Sequence, residues 1–250
     1  MRLPKVSVLV PAYNEEKYIG RVLTALAAQE YPHFEIIVAD NASTDNTAAV
    51  VQQFINNTSC QVILVHENRQ GTNYARECAR QQATGSIIAQ ADADCIPHKD
   101  WLGKGVKKLL KGSTVAVTGP YDYFDGGWLM RGFSLRSQQL LYPLTNRLAQ
   151  VAGKAAIMIG GNALIRASVL QAAGGYDTAF TFYGDDIALA KRLSAYGHVA
   201  FSSALVQPTS SRRYRVQGFW KVNKKYQACF WKLLRGEELF SSTLETSHPR

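Results

Sequence analysis

The chain contains no apolar run approaching the roughly 18–20 residues needed to cross a bilayer. Its most apolar candidate, Val151 to Gly161, is short and carries Lys154. The start, MRLPKVSVLV, has neither the apolar core nor the small-residue cleavage site of a secretory leader. Cysteine is scarce. Cys60, Cys78, Cys95 and Cys229 lie far apart, with no CxxC pair and no metal-finger spacing, which predicts free thiols in a reducing compartment. HExxH and GxSxG are absent. Gly103-Lys104-Gly105 lacks the third glycine of a dinucleotide fingerprint, and no glycine stands in register before Gly153-Lys154 for a phosphate loop. These absences predict a cytoplasmic protein and set aside several catalytic classes.

What is present suits a folded enzyme. Apolar residues make up 46% of the 250 residues and charged residues 19%, enough to bury a core. Lys and Arg number 28 against 19 Asp and Glu, a net charge of +9, so phosphates, nucleic acid and anionic membranes are all conceivable partners. In the first half, short β-branched runs at Val6–Val10, Glu35–Ala39, Gln61–Val65 and Ile87–Gln90 predict strands of a sheet covered on both faces. Amphipathic helices are predicted between them, at Glu16–Gln29, Asp45–Phe54 and Asn73–Gln82, the second capped by Ser43-Thr44-Asp45. This βαβ order implies a Rossmann-like, mostly parallel α/β sheet with helices on both faces. The second half predicts strands at Val115–Val117 and Ala163–Ile165. It also predicts a long helix at Trp128–Gln150 with aromatics and Leu on one side, and helices from Ala167 and from Asp185.

In doubly wound sheets ligands bind beyond the carboxyl ends of the strands. Those ends are polar and acidic here: Pro11, Tyr13 and Glu15 follow the first strand, Asp40-Asn41 the second, and Asp92-Ala93-Asp94 the fourth. Asp92 and Asp94 can share one hard divalent cation, Mg²⁺ or Mn²⁺, which favours oxygen ligands and completes its shell with a substrate diphosphate. Asp40 can accept an N–H from a base or an O–H from a ribose.

With these residues in place, the ordered set VLVPAYNE (Val8–Glu15), IIVADNASTDNT (Ile36–Thr47), Asn68–Gly71 with Ala75-Arg76, and Asp92–Asp94 resembles the nucleotide-sugar half of family 2 glycosyltransferases of the GT-A fold. GNALIR (Gly161–Arg166), GGYD (Gly174–Asp177) and YGDDIALAKRL (Tyr183–Leu193) resemble that family's acceptor half. The resemblance runs from about Val6 to Gly197. It implies a nucleotide-sugar site built from Pro11, Tyr13, Glu15, Asp40, Gly71, Arg76 and Asp92, with Asp94 as metal ligand. It implies Asp186 as the catalytic base with Asp185 beside it, and Gly161 and Asn162 toward the acceptor or diphosphate. The chain departs from the family pattern at Ala188, where many members carry Asp, and at Glu77, where Asn is usual. The Gln-x-x-Arg-Trp signature of processive members is missing, and SSRRYR (Ser210–Arg215) stands near its place, with Arg212 and Arg213 as candidate diphosphate or acceptor contacts.

The expected activity is therefore metal-dependent, inverting transfer of a single sugar from a UDP- or GDP-sugar to the hydroxyl of a sugar or lipid-linked acceptor, such as a cell-envelope glycan. Alternatives are a nucleotide-sugar-binding protein without transferase activity and nucleotidyl transfer to a sugar phosphate. A nucleic-acid partner is not expected, because no recognised DNA or RNA module is present. Residues 1–211 are expected to form a single GT-A domain, with 1–111 as nucleotide-sugar half and 112–211 as acceptor half. Residues 212–250, which hold +6 of the +9, are expected to form a basic, aromatic helical tail. Phe219, Val222, Tyr226, Phe230 and Leu233 would share one helical face opposite Lys221, Lys224, Lys225, Lys232 and Arg235. That face either packs on the domain or lies on an anionic membrane, placing the enzyme peripherally on its inner surface.

Overall fold

The computed structural model describes residues 3–151, 157–180 and 184–234. Strands β1 (Val6–Ala12), β2 (Phe34–Asp40), β3 (Val62–His66) and β4 (Ile87–Ala91) stand on the continuous apolar runs. Such runs can be buried on both faces only in a covered sheet, and β1, β2 and β4 are buried almost throughout. Helices α1 (Ile19–Ala27), α2 (Thr47–Asn57) and α3 (Thr72–Gln82) connect them. The cap of α2 differs from expectation. Its N-cap position is Asn46, whose side chain makes no capping bond, and Asp45 does the work by accepting the Thr47 N–H at 2.9 Å.

After α4 (Trp101–Leu109) come β5 (Thr114–Thr118), β6 (Tyr121–Tyr123), α5 (Trp128–Val151), β7 (Asn162–Arg166), α6 (Ala167–Ala172), α7 (Asp185–Ser194), β8 (His198–Phe201) and β9 (Gln207–Thr209). Two further helices, α8 (Arg212–Gln217) and α9 (Phe219–Leu234), end the described chain. The large sheet has the order β3-β2-β1-β4-β7-β5-β8, with β7 antiparallel to both neighbours and the remaining pairs parallel. The mostly parallel α/β architecture is thus as expected. β1 stands between β2 and β4, so the three polar strand ends lie side by side. The short β6 and β9 form a separate parallel ribbon that no sequence period announced.

Helices cover both faces of the sheet. Ile19, Leu23 and Leu26 of α1 and Trp101, Leu102 and Val106 of α4 pack against one face, and Ala75 and Ala79 of α3, Leu170 of α6 and Leu189 and Leu193 of α7 against the other. At the amino ends of the strands a buried polar clasp ties them together. The carboxylate of Glu35, fully buried, accepts from Ser7 Oγ at 2.6 Å, Lys5 Nζ at 2.7 Å and Thr84 N at 2.9 Å.

Helix α5 is built inside out. Its polar side faces the domain: Gln138 bonds the backbone of Tyr121, Gln139 the carbonyl of Ser203, and Asn146 and Gln150 that of Val199. The expected aromatic and Leu side is real but turned outward. In α9, Val222 is fully buried while Trp220 and Trp231 are exposed, so the expected apolar face is turned toward the protein at Val222. Tyr183, the first residue of the YGDD motif, and residues 235–250 of the expected tail lie outside the described residues.

Candidate active site

The polar strand ends open into one cavity of about 700 Å³. Pro11, Tyr13 and Glu15 enter from the end of β1, Gly71 and Arg76 from the start of α3, and Asp92 and Asp94 from the end of β4. Gly161 precedes β7, Asp185 and Asp186 open α7, and Arg212 and Arg213 open α8; all line the same space. Residues from distant parts of the sequence converge because β7 inserts between β4 and β5 and carries the second half of the chain against the first.

Its centre is Arg76, only 4% exposed. The guanidinium donates to Asp92 at 3.2 Å, Asp185 at 3.1 Å and Asp186 at 3.3 Å. Burial alone would lower the pKa of this arginine, but the carboxylates of Asp186, Asp92 and Asp185 outweigh it and hold it above its ordinary value. One cation among these carboxylates leaves an excess of negative charge. Both Asp185 and Asp186 accordingly sit above the usual carboxylate range, first through burial, with Asp186 adding to the effect at Asp185 and Asp92 adding at Asp186. The N–H of Gly160 donates to Asp186 at 3.1 Å, and the Tyr121 hydroxyl donates to Asp92 at 2.9 Å.

The glycine pair before β7 follows from these approaches. A Cβ at Gly160 would stand 2.0 Å from Asp186 Oδ1, and one at Gly161 2.2 Å from Asp92 Oδ2 and 2.1 Å from the Tyr121 hydroxyl. No side chain fits. Gly160-Gly161 leaves the room that the Asp186 and Asp92 carboxylates occupy.

A second ionic cluster holds Asp94. Arg212 Nε stands 3.0 Å from Asp94 Oδ2, and the rest of its guanidinium binds both carboxylate oxygens of Glu15, Nη1 at 2.8 Å from Oε2. Burial raises the pKa of Asp94 and of Glu15, and Arg212 only partly offsets it. Asp92, Asp94 and Cys95 each offer an atom within 4.8 Å of the others. Burial pushes the Cys95 thiol well above its ordinary pKa, and the hard donors of the group are the carboxylate oxygens of Asp92 and Asp94. Carboxylate oxygens suit a hard divalent cation, for which the Arg212 guanidinium on Asp94 is a competitor.

Two expected site residues do not reach the cavity. Asn162 is fully buried and spends its amide on structure: it accepts from Trp101 Nε1 at 2.9 Å and donates to the Leu205 carbonyl at 2.7 Å. Asp40 lies at the end of β2 with Oδ1 buried and unpartnered and Oδ2 3.3 Å from His66, while its neighbour Asn41 lines the cavity. Gly160 and Tyr121 join the site without a sequence signal of their own, and Arg76, expected at the nucleotide sugar, lines the cavity with its guanidinium paired to carboxylates. The Arg-Asp pairing spans more than a hundred residues and leaves no local pattern. Helices α5 and α9 give the cavity a mixed wall, with Phe133, Leu141, Tyr142, Phe219 and Trp220 among polar residues such as Ser137, Gln138, Asn223 and Gln227.

Comparison with known proteins adds to this geometry. The model of Glycosyl transferase family 2 matches residues 7–174. The glycosyltransferase AglE of Haloferax volcanii is 38% identical over 130 residues, which cover 50% of this chain and 42% of that protein. The chain therefore spans less than half of that relative. Among solved structures, the mannosyltransferase PcManGT from Pyrobaculum calidifontis, in complex with GDP-Man and Mn²⁺, superposes with a TM-score of 0.73 at 26% identity, covering 95% of this chain and 66% of that one. The structure of S. aureus TarS 1–349 with UDP-GlcNAc superposes with a TM-score of 0.65 at 20% identity over 95% of this chain and 68% of that one, a likeness of fold.

Proposed function

From the premise that the chain belongs to glycosyl transferase family 2, we propose that it transfers one sugar from a UDP- or GDP-sugar to an acceptor hydroxyl with inversion at the anomeric carbon. The observation that carries this reading is the convergence of Asp92, Asp185 and Asp186 on Arg76 beside Asp94 at the floor of a single cavity. The solved relative with GDP-Man and Mn²⁺ supports a nucleoside-diphosphate-sugar donor and a divalent cation. Asp94, with Asp92 beside it, would hold Mg²⁺ or Mn²⁺, which when bound neutralises charge developing on the leaving diphosphate.

The chain's own residues divide the remaining work. Asp186 takes the acceptor proton. Its side chain is 26% exposed against 11% for Asp185, so it is the carboxylate that an acceptor can reach. Gly160 N–H and Arg76 Nη1 fix its orientation, Asp185 accepts from the same Nη1, and Asp92 anchors Arg76 at Nη2. Pro11, Tyr13 and Gly71 frame the nucleotide pocket. Arg213 lies near enough to lower the pKa of Asp94 and of Asp186, placing positive charge where a diphosphate would come. Sugar or lipid-linked glycan acceptors would lie along the mixed wall of α5 and α9, and an enzyme on the inner face of a membrane would meet the lipid-linked ones there.

Product analysis tests the reading. Incubation with UDP- and GDP-sugars, Mn²⁺ and candidate acceptors should release a nucleoside diphosphate, and Asp186→Asn should lower transfer by about 10²–10⁴-fold while nucleotide affinity holds. Pyrophosphate release would favour nucleotidyl transfer instead. Binding without donor breakdown would leave only a nucleotide-sugar-binding protein.

A further inference from the structure

Helix α5 turns Phe133, Leu140, Leu141, Leu144, Leu148 and Val151 to the outside, each more than half exposed, while its glutamines and Asn146 occupy the inner side. A helix on a water-facing surface normally shows the reverse pattern. Contiguous exposed apolar surface of this kind marks a contact with something apolar. We propose that the outer face of α5, together with the exposed Trp220 and Trp231 of α9, docks on an anionic lipid bilayer and sets the mouth of the active-site cavity against it. This inference extends the transfer reading by making the acceptor a lipid-linked one.

Charge selects the bilayer as occupant. Neither α5 nor α9 contains an Asp or Glu. Arg136 and Arg147, both exposed, flank the apolar stripe of α5, and α9 adds Lys221, Lys224 and Lys232, exposed as well. A second copy of the chain laid on this face in a symmetric dimer would bring arginines against arginines, whereas anionic headgroups neutralise them. Leu, Phe and Trp on one side of a helix with flanking Arg and Lys are the pattern of an interfacial helix. No described helix is long and apolar enough to cross a membrane, so docking would be at the surface.

Continuity with the cavity gives the docking a function. Phe133, Leu141 and Trp220 belong both to the exposed apolar surface and to the cavity wall. The docked surface would thus run into the mouth of the pocket where Asp186 lies.

The test uses the full chain and vesicles of phosphatidylcholine with or without phosphatidylglycerol. Co-sedimentation should show binding that requires phosphatidylglycerol and weakens with salt, with a blue shift of tryptophan emission. Leu144→Glu/Leu148→Glu, at two positions that do not line the cavity, should lower vesicle affinity by roughly tenfold or more, and Arg136→Gln/Arg147→Gln by roughly thirtyfold. Both variants should keep wild-type breakdown of donor in vesicle-free buffer. Wild-type protein that ignores anionic vesicles, or variants that bind as well as wild type, would overturn the docking proposal. A dimer in vesicle-free solution that Leu144→Glu/Leu148→Glu dissolves, with no vesicle binding, would assign the face to a second copy and equally overturn it. Absence of donor breakdown in all proteins would sink the transfer reading and leave the vesicle result to stand by itself.

Discussion

Asp186 is held at a cost. Its pKa and that of Asp185 are raised above the usual carboxylate range, chiefly by burial and then by neighbouring carboxylates that Arg76 does not fully balance. The linkage has a definite sign: a carboxyl whose folded pKa is raised contributes stability below its unfolded pKa, and that contribution is lost as pH rises through the folded value. Asp186→Asn should therefore raise the melting temperature at neutral pH by a few degrees, at roughly 2–4 °C per kcal/mol for a protein of this size, while transfer disappears. Differential scanning calorimetry at pH 5 and pH 8 checks it, since the gain over wild type should be larger at the higher pH. An Asp186→Asn variant that melts lower at both would show that Arg76 needs every one of its carboxylates. In the wild type, transfer should rise with pH above the ordinary carboxylate range as the base loses its proton. Gly161→Ala offers a steric counterpart, because its Cβ would strike the Asp92 carboxylate and the Tyr121 hydroxyl. Donor turnover should fall by about 10²-fold, the scale of a one-ångström misplacement, with circular dichroism unchanged. At this scale the sequence was informative about residue type and less so about task. Asp92, Asp94, Asp185 and Asp186 stood out as acidic residues after strands or at a helix start. Asn162 looked equally polar, and only the fold shows its amide consumed by Trp101 and Leu205.

Among the elements, the parallel strands were legible because burial on both faces forces a continuous apolar run, and β1 to β4 stand within two residues of their expected ends. β6 and β9 were not, since three residues cannot show a period. The orientation of α5 was also hidden: its pattern shows two different sides, but which one faces inward depends on carbonyls of Ser203 and Val199 that its glutamines and Asn146 find more than forty residues away. The Glu35 clasp is an element-scale device, joining β1, β2 and the approach to β4 at the end of the sheet remote from the site. Burial would raise the pKa of Glu35, but its bonds from Lys5, Ser7 and Thr84 prevail and hold it below the ordinary value. Its stabilisation is thus present above the unfolded pKa and lost as pH falls through the folded one. Glu35→Gln should destabilise by about 1–3 kcal/mol, read by urea unfolding at pH 7, and the difference from wild type should shrink toward pH 3. Between β2 and α2, Ala42 sits in the left-handed region at φ 57°. Ala42→Gly should relieve that strain, worth of order 1 kcal/mol, and a melting temperature that falls would show that the loop's neighbours compensate.

Across the whole molecule, residues from 1–111, 112–211 and 212–234 line one cavity: Arg212 lies on Glu15 and Asp94, and Tyr214 packs edge-on against Tyr123. Arg212 must shift if a divalent cation is to take Asp94. Arg212→Ala should therefore tighten Mn²⁺ binding measured by calorimetry without nucleotide, and equal affinity would mean that the guanidinium and the ion share the carboxylate. The Arg212–Glu15 link also has a consequence for biosynthesis. Domains tend to form from the amino terminus as the chain emerges, so the partners of this link are made 197 residues apart. Through that interval Glu15 and Asp94 would wait on the growing polypeptide without their cation, and the pocket would close only when the last helices arrive. A stalled chain ending at residue 211 should accordingly resist protease across the first four strands yet leave the segment around Glu15 open to cleavage.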